Sequence, residues 1–229
     1  PMIFQVGGAI TLRAVNPQLP AGRSILTDPL HTGPRDRQAG QLTEWQMSAS
    51  DNFGQARAAW KARGQTRPAG AVVPGPGQES VWDYPRPPAL VADTRLVQVR
   101  LDGALLAESR AALRILETAS PPTFYLPPGD VMSEYLSPDS GTSFCEWKGR
   151  ATYHKVCVAA HCVPRAAWSY PEPFDEYRAI RDYLAFYPAR VECFVDGERV
   201  RPQAGDFYGG WVTGEIVGPF KGEPGTAGW

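Results

Sequence analysis

The densest chemistry in the chain lies in Cys145-Glu146-Trp147-Lys148-Gly149-Arg150-Ala151-Thr152-Tyr153, where a thiol, a carboxylate, an ammonium and a phenol follow one another closely. On one continuous strand, Cys145, Trp147, Gly149, Ala151 and Tyr153 would face one way, and Glu146, Lys148, Arg150, Thr152 and His154 the other. Cys145 and Lys148 then share a site only if the chain bends at Lys148-Gly149, which glycine permits as a bulge. A straight strand instead gives a core thiol and an outward lysine. Glu117 closes the apolar run Leu113 to Leu116, just before a Pro-bounded turn. A desolvated carboxylate there suits general acid or base work, whereas one accepting backbone N–H bonds would only pin the turn.

Four tyrosines, Tyr125, Tyr153, Tyr170 and Tyr187, each carry a hydroxyl on an apolar ring. Such residues line pockets or fill cores, and the expectation is that two of these four line a pocket. Arg114, four residues after Arg110, can offer a cation to an anionic ligand or simply face solvent. Trp168 and Trp211 read as pocket wall or core. With Glu117, Lys148 and Tyr153 in catalytic roles, the expected ligand-binding set is Arg114, Tyr125, Cys145, Trp168, Tyr170, Tyr187 and Trp211.

Other chemistries find less support. Cys145, His154, Cys157, His161 and Cys162 are zinc-type ligands, but their spacing contains no Cys-x2-Cys knuckle, so no metal is expected and the cysteines are read as reduced and buried. The chain has three histidines and no nucleophile elbow, which leaves a Ser-His-Asp set without a basis. Basic and acidic residues number 23 and 24 and are mixed throughout, so the electrostatic footprint of nucleic-acid binding is missing. Neither a signal peptide nor an apolar run long enough to span a membrane is read, and the expected location is cytoplasmic.

The elements that must position these residues are short, because 23 Gly and 23 Pro punctuate the chain. Residues 1–78 read as an irregular arm, rich in Pro, Gly, Arg and Gln, that packs on the rest of the protein. Its one helix is expected over Asp51 to Arg63, capped by Ser50 or Asp51 and ended by Gly64, and Arg67 to Gly77 is the expected linker. From Trp82 the pattern alternates. Val97, Val99 and Leu101 lead to Asp102-Gly103 and then Ala104 to Leu106, a hairpin signal that returns at Val191 to Val195, Asp196-Gly197 and Val200. The two hairpins share one design and hint at an internal repeat. Further strands are expected at Leu113 to Glu117, Thr123 to Leu126 between two Pro-Pro pairs, Glu146 to Val158, Ala167 to Tyr170 and Leu184 to Tyr187. A helix is expected at Phe174 to Tyr183. The fold class is therefore mainly β: over 79–229, a small barrel- or tent-like antiparallel sheet with one or two short helices.

Four motifs occur in order: Glu117-Thr118-Ala119-Ser120-Pro121-Pro122-Thr123-Phe124-Tyr125-Leu126-Pro127, Cys145 to Tyr153, Ala167-Trp168-Ser169-Tyr170-Pro171 and Ala185-Phe186-Tyr187-Pro188. This order resembles the domain of unknown function family 427, also catalogued under a nucleotidyltransferase label. The likeness covers about Trp82 to Pro188, and Phe207-Tyr208-Gly209-Gly210-Trp211 looks typical of the family's longer members. The resemblance implies a small β-rich, barrel-like domain. Nucleotidyl transfer needs carboxylates to hold Mg²⁺ on a triphosphate. Gly7-Gly8 is followed by no Asp-x-Asp, Gly209-Gly210 only by Glu215, and no phosphate-binding Gly-rich loop is present.

The reading that results is a cofactor-independent domain enclosing a small organic ligand, with acid–base or cyclisation chemistry in an aromatic-lined pocket. A homodimer stays open. The alternatives are a structural or partner-binding module, and nucleotidyl transfer. Whether the tyrosines, Glu117 and Lys148 converge on one concavity separates the first reading from the second.

Overall fold

Short strands joined by tight turns make up residues 67–205 and 207–226, which the computed structural model describes. The expected helix over 51–63, and the packing of residues 1–66, lie outside the described residues. Strands β1 (Glu79–Ser80), β2 (Ala89–Asp93), β3 (Val97–Leu101), β4 (Ala104–Ser109), β5 (Ala112–Glu117) and β6 (Ser120–Tyr125) come first. The long strands β7 (Leu136–Cys145), β8 (Gly149–Val158) and β9 (His161–Pro173) follow. The chain continues with β10 (Ala185–Phe186), β11 (Glu192–Val195), β12 (Glu198–Arg199), β13 (Arg201–Pro202), β14 (Trp211–Val212) and β15 (Ile216–Val217).

Both Asp-Gly signals form hairpins. Asp102 and Gly103 take φ of 50° and 80°, and Asp196 and Gly197 take 45° and 82°, the paired left-handed conformations of a type I′ turn. The two hairpins lie side by side in one antiparallel sheet of order β12-β11-β3-β4, with Val99 opposite Cys193. A second sheet runs β10-β9-β8-β7, and a third β2-β5-β6. The antiparallel pair β13-β14 is local, and the parallel pair β1-β15 joins segments distant in sequence. The architecture is mainly β as expected, but the sheets remain open and none closes into a barrel.

Several local expectations are corrected. The run Glu146 to Val158 is not one strand: β7 ends at Cys145, residues 146–148 turn, and β8 starts at Gly149 with φ of 98°. Pro121 and Pro122 sit inside β6 rather than fencing it, which an edge strand of the β2-β5-β6 sheet tolerates because proline lacks only the outward donor. Phe174 to Tyr183 forms a kinked 3-10 segment, Asp175–Ile180, in place of a regular helix. Cys157 and Cys162, opposite one another across the β8–β9 hairpin, are joined in a disulfide rather than reduced. Residues 67–78 are tied to the C-terminal region by the Val72 N–H to the Gly218 carbonyl (3.0 Å) and by the Gln78 amide to the Gly214 carbonyl (3.2 Å).

The interior divides into apolar clusters of different character, and strand alternation explains how. On β6, Phe124 faces an aliphatic core with Val97, Val99, Leu106, Phe186 and Trp211, while Tyr125 faces the opposite side. On β9, Ala167 belongs to that aliphatic core, and Trp168 and Tyr170 to the other side. β10 repeats the division, with Phe186 in the first and Ala185 in the second. The period-2 pleat thus turns β6, β9 and β10 into a wall between an aliphatic core and an aromatic cluster holding Tyr125, Tyr153, Trp168, Tyr170, Tyr177 and Tyr187.

Candidate functional site

The aromatic cluster is not completely filled. A cavity of about 180 Å³ opens within it, bordered by Glu117 from the end of β5, Tyr125 from β6, Cys145 from β7, Tyr153 from β8, and Trp168 and Tyr170 from β9. Tyr187, just past β10, adds another ring, and Lys148 enters from the turn that breaks the expected strand. The bend at Lys148-Gly149 is thus the one needed to bring Cys145 and Lys148 to a common site. Gly149 suits this position because its φ of 98° disfavours any Cβ.

Lys148 is 8% exposed. Its ammonium forms no hydrogen bond or ion pair among the described residues and lies 6.0 Å from the centre of the Tyr170 ring. Burial works against its charge and the acidic groups facing it, Cys145, Tyr125, Tyr170 and Glu117, work for it, and the balance lies well above the usual lysine range. The tyrosines behave in the opposite sense. Burial pushes the hydroxyls of Tyr125 and Tyr170 up, and burial together with the neighbouring Tyr153 hydroxyl pushes Tyr187 up, so all three stay phenols near neutral pH.

Most wall hydroxyls are held in place. Trp168 Nε1 donates to the Tyr125 hydroxyl at 3.4 Å, and the Tyr153 hydroxyl donates to Ser143 Oγ at 2.8 Å. The Arg165 guanidinium covers the outer face of the Tyr153 ring at 3.9 Å. Trp168 and Tyr187 have ring centres 4.4 Å apart. Glu117 is half-buried, and its carboxylate makes no hydrogen bond among the described residues, so the turn-pinning alternative is not realised. The turn is held instead by the Ala119 N–H to the Val81 carbonyl and by the Lys221 N–H to the Ala119 carbonyl.

Two expected ligand residues lie elsewhere. Arg114 points away from the cavity and is held by Glu79 and Asp93, with its Nε 3.1 Å from Asp93 Oδ2. Side chains at 114 and 115 of β5 face opposite ways, and Ile115 has the cavity side. Trp211 is fully buried in the aliphatic core, stacked on Phe124 at 4.8 Å, with its Nε1 donating to the Phe186 carbonyl. All four tyrosines line the cavity, where two were expected.

The C-terminal segment contributes residues that the sequence reading missed. Gln203 borders the cavity, and its amide bonds the Lys221 carbonyl (2.7 Å) and the Gly210 N–H (3.1 Å). Gly209 lies flat against the Trp168 indole: a Cβ added there would come within 2.2 Å of Trp168 Cη2. The Gly209-Gly210 pair in the tail motif was the available signal, since such a pair permits close backbone approach; nothing in the sequence marked Gln203. Among the described residues, no group of three or more His, Cys, Asp or Glu side chains is placed to hold a metal ion. No described helix is long and apolar enough to cross a membrane.

Fold and site together define a mainly β domain built around a small cavity with an aromatic wall, a buried ammonium and a carboxylate at its border. Residues 89–197 match the family described as Domain of unknown function (DUF427), the family and the segment to which the sequence motifs point. No curated protein matches the chain.

Proposed function

We propose that the cavity encloses a small organic molecule and carries out cofactor-free acid–base chemistry on it, of the cyclase, isomerase or lyase type. The observation that carries this reading is convergence. Eight of the ten residues singled out by type and motif, from β5, β6, β7, β8, β9, the segment after β10 and the Lys148 turn, border a single hollow. A module that only holds a partner needs no buried, unbonded ammonium beside a carboxylate, and would gain stability from apolar residues in their place.

The chemistry follows from position and charge. Glu117 is the group that takes a proton from carbon beside a carbonyl and returns it. Lys148 and the phenols of Tyr125 and Tyr170 face the oxygen on which charge develops. The rings of Trp168, Tyr153 and Tyr187 hold the substrate's shape. Size favours the same class. An apolar cavity of about 150 Å³ takes one benzene ring, so this one suits a single substituted ring and is too small to enclose a nucleoside triphosphate.

The test is a thermal-shift screen against small aromatic and polyketide-like metabolites, with nucleotides and Mg²⁺ alongside. A metabolite at a hundred times its dissociation constant should stabilise the fold by about 2.7 kcal/mol. For an enolisable hit, solvent deuterium should enter the carbon next to the carbonyl with the wild type and much more slowly with Glu117→Gln, which retains binding. Silence from every metabolite would move the reading to a partner-binding module. Stabilisation by a nucleotide only with Mg²⁺ would move it to nucleotidyl transfer.

A further inference from the structure

Charge inside the cavity is distributed unevenly. The residue Lys148 is nine-tenths buried, and its ammonium, at the cavity lining, makes no hydrogen bond among the described residues. The groups that act on it most strongly are Tyr125 on β6 and Tyr170 on β9, both held protonated near neutral pH, the thiol of Cys145 on β7, and Glu117 at the end of β5; Ser143, Glu146, Gln203 and Lys221 also border the cavity. Glu117 is more exposed than Lys148. The buried side therefore offers hydrogen-bond donors: ammonium N–H and phenol O–H groups. A buried donor without an acceptor costs free energy, and an ammonium costs more than a neutral one. Water could supply an acceptor only at the expense of the low dielectric that strengthens every charge interaction there.

We infer that the molecule this cavity takes is a single-ring oxyanion, an enolate or phenolate, whose charged oxygen sits against the Lys148 ammonium and the phenol hydroxyls of Tyr125 and Tyr170. This deepens the enclosed-ligand reading above and rests on it. The volume of about 180 Å³ leaves room for one ring and a small substituent. The oxygen of an enolate or phenolate lies in the ring plane and is reached from its edge. That suits a cavity whose donors sit beside aromatic rings. A cationic ring would meet Lys148 directly, and a neutral ring could give it an acceptor but no opposite charge.

A chromogenic phenol reads this directly, because 4-nitrophenol titrates near neutrality and only its anion absorbs strongly in the visible. The full chain is titrated with 4-nitrophenol across pH, and binding of benzamide, a neutral ring of similar size, is measured in parallel by calorimetry. The expected result is that bound 4-nitrophenol ionises more readily than free, with its acid dissociation constant raised about tenfold or more, a pKa lowered by about one unit. Lys148→Met should abolish that shift while the ring still binds, and Lys148→Arg should keep its direction. Melting temperatures and near-ultraviolet circular dichroism of both variants establish that each is folded. If Lys148→Met does not fold, the wild type against Lys148→Arg still decides on the direction of the shift.

Binding of 4-nitrophenol without a shift, with a shift toward the neutral phenol, or with a shift unchanged in folded Lys148→Met would overturn the oxyanion assignment and leave the enclosed-ligand reading standing. Binding of benzamide but not of 4-nitrophenol would do the same. Failure of both rings to bind would overturn the assignment together with the reading on which it rests.

Discussion

Placing one methyl group on Gly209 tests how the C-terminal segment closes the site. In Gly209→Ala the added Cβ would lie 2.2 Å from Trp168 Cη2, 2.9 Å from Cζ3 and 3.2 Å from Cζ2. Carbon atoms rest at about 3.5–4.0 Å, so either the segment lifts or the indole tilts by roughly 1.3–1.8 Å. Neither is free. The indole is fixed by Tyr187 at 4.4 Å and by its bond to Tyr125, and the segment by Gln203, which holds the Gly210 N–H at 3.1 Å. Overpacking of this kind costs about 1–3 kcal/mol, against which alanine gains about 0.4–1 kcal/mol by restricting the unfolded chain. A net loss of about 1–2 kcal/mol follows, which for a chain of this size lowers Tm by about 2–8 °C. Trp168→Phe removes the three ring atoms that collide, so Gly209→Ala should cost much less in that background. The assay is urea or thermal unfolding of the four proteins in a double-mutant cycle, with a favourable coupling of about 1 kcal/mol or more expected. Gly209→Ala as stable as wild type, or a loss unchanged in the Trp168→Phe background, would refute this placement of the segment on the indole.

Two further outcomes are expected. In Asp93, burial alone would raise the carboxyl, but hydrogen bonds from Arg95 and the nearby Arg114 outweigh it and hold the group below its usual range. The unfolded chain therefore binds protons first, so the stability from this group is whole above the usual carboxylate range and drains away as pH falls below about 4. Asp93→Asn should cost about 3 kcal/mol at pH 7, because it leaves arginines without their buried partner, and should flatten the loss between pH 5 and 3; urea midpoints across pH that fall equally in both proteins would contradict this. The disulfide Cys157–Cys162 closes a short hairpin loop, with a sequence separation of 5. Its reduction should lower stability by about 2 kcal/mol, and mass spectrometry after alkylation without reductant should leave both cysteines unmodified. Labelling of either would count against the bridge.

What could be read in the sequence, and what could not, follows from the range of the interactions. The Asp102-Gly103 and Asp196-Gly197 hairpins were legible because a type I′ turn is decided by the two residues that must take positive φ. Their lateral pairing through Val99 and Cys193 was legible only as a hint of a repeat, since pairing across the sheet is a long-range choice. The break at Lys148-Gly149 was visible as a permission that glycine gives, not as a requirement; the positive φ that Gly149 takes is set where β8 begins to pair with β7 and β9. Strand β7 was invisible because Pro138, Asp139 and Gly141 disfavour a strand, and pairing with β8 overrides that preference. The disulfide was missed because the spacing of Cys157 and Cys162 carries no pairing signal until Ala159 turns the hairpin with φ of 50° and sets them opposite one another.

The site itself was legible to the extent that residue type implies a role. Glu117, Lys148, Cys145 and the four tyrosines were selected for polar chemistry set in apolar motifs, and the fold gathers them. Arg114 and Trp211 were selected on the same grounds and lie elsewhere, because alternation on β5 turns Arg114 toward Asp93 and Glu79, and because Trp211 satisfies its own N–H inside the aliphatic core. The difference between the two groups is satisfaction. Arg114 is ion-paired to Glu79 and Asp93, Trp211 bonds its N–H to the Phe186 carbonyl, and both act as structure. Lys148 is 8% exposed, and its ammonium, facing phenol and thiol groups and the Glu117 carboxylate, makes no hydrogen bond or ion pair among the described residues. A fold selected for stability alone would fill that space with a hydrocarbon side chain or bond the ammonium. The unmet donor is the feature that makes this hollow a place for an acceptor from outside the chain.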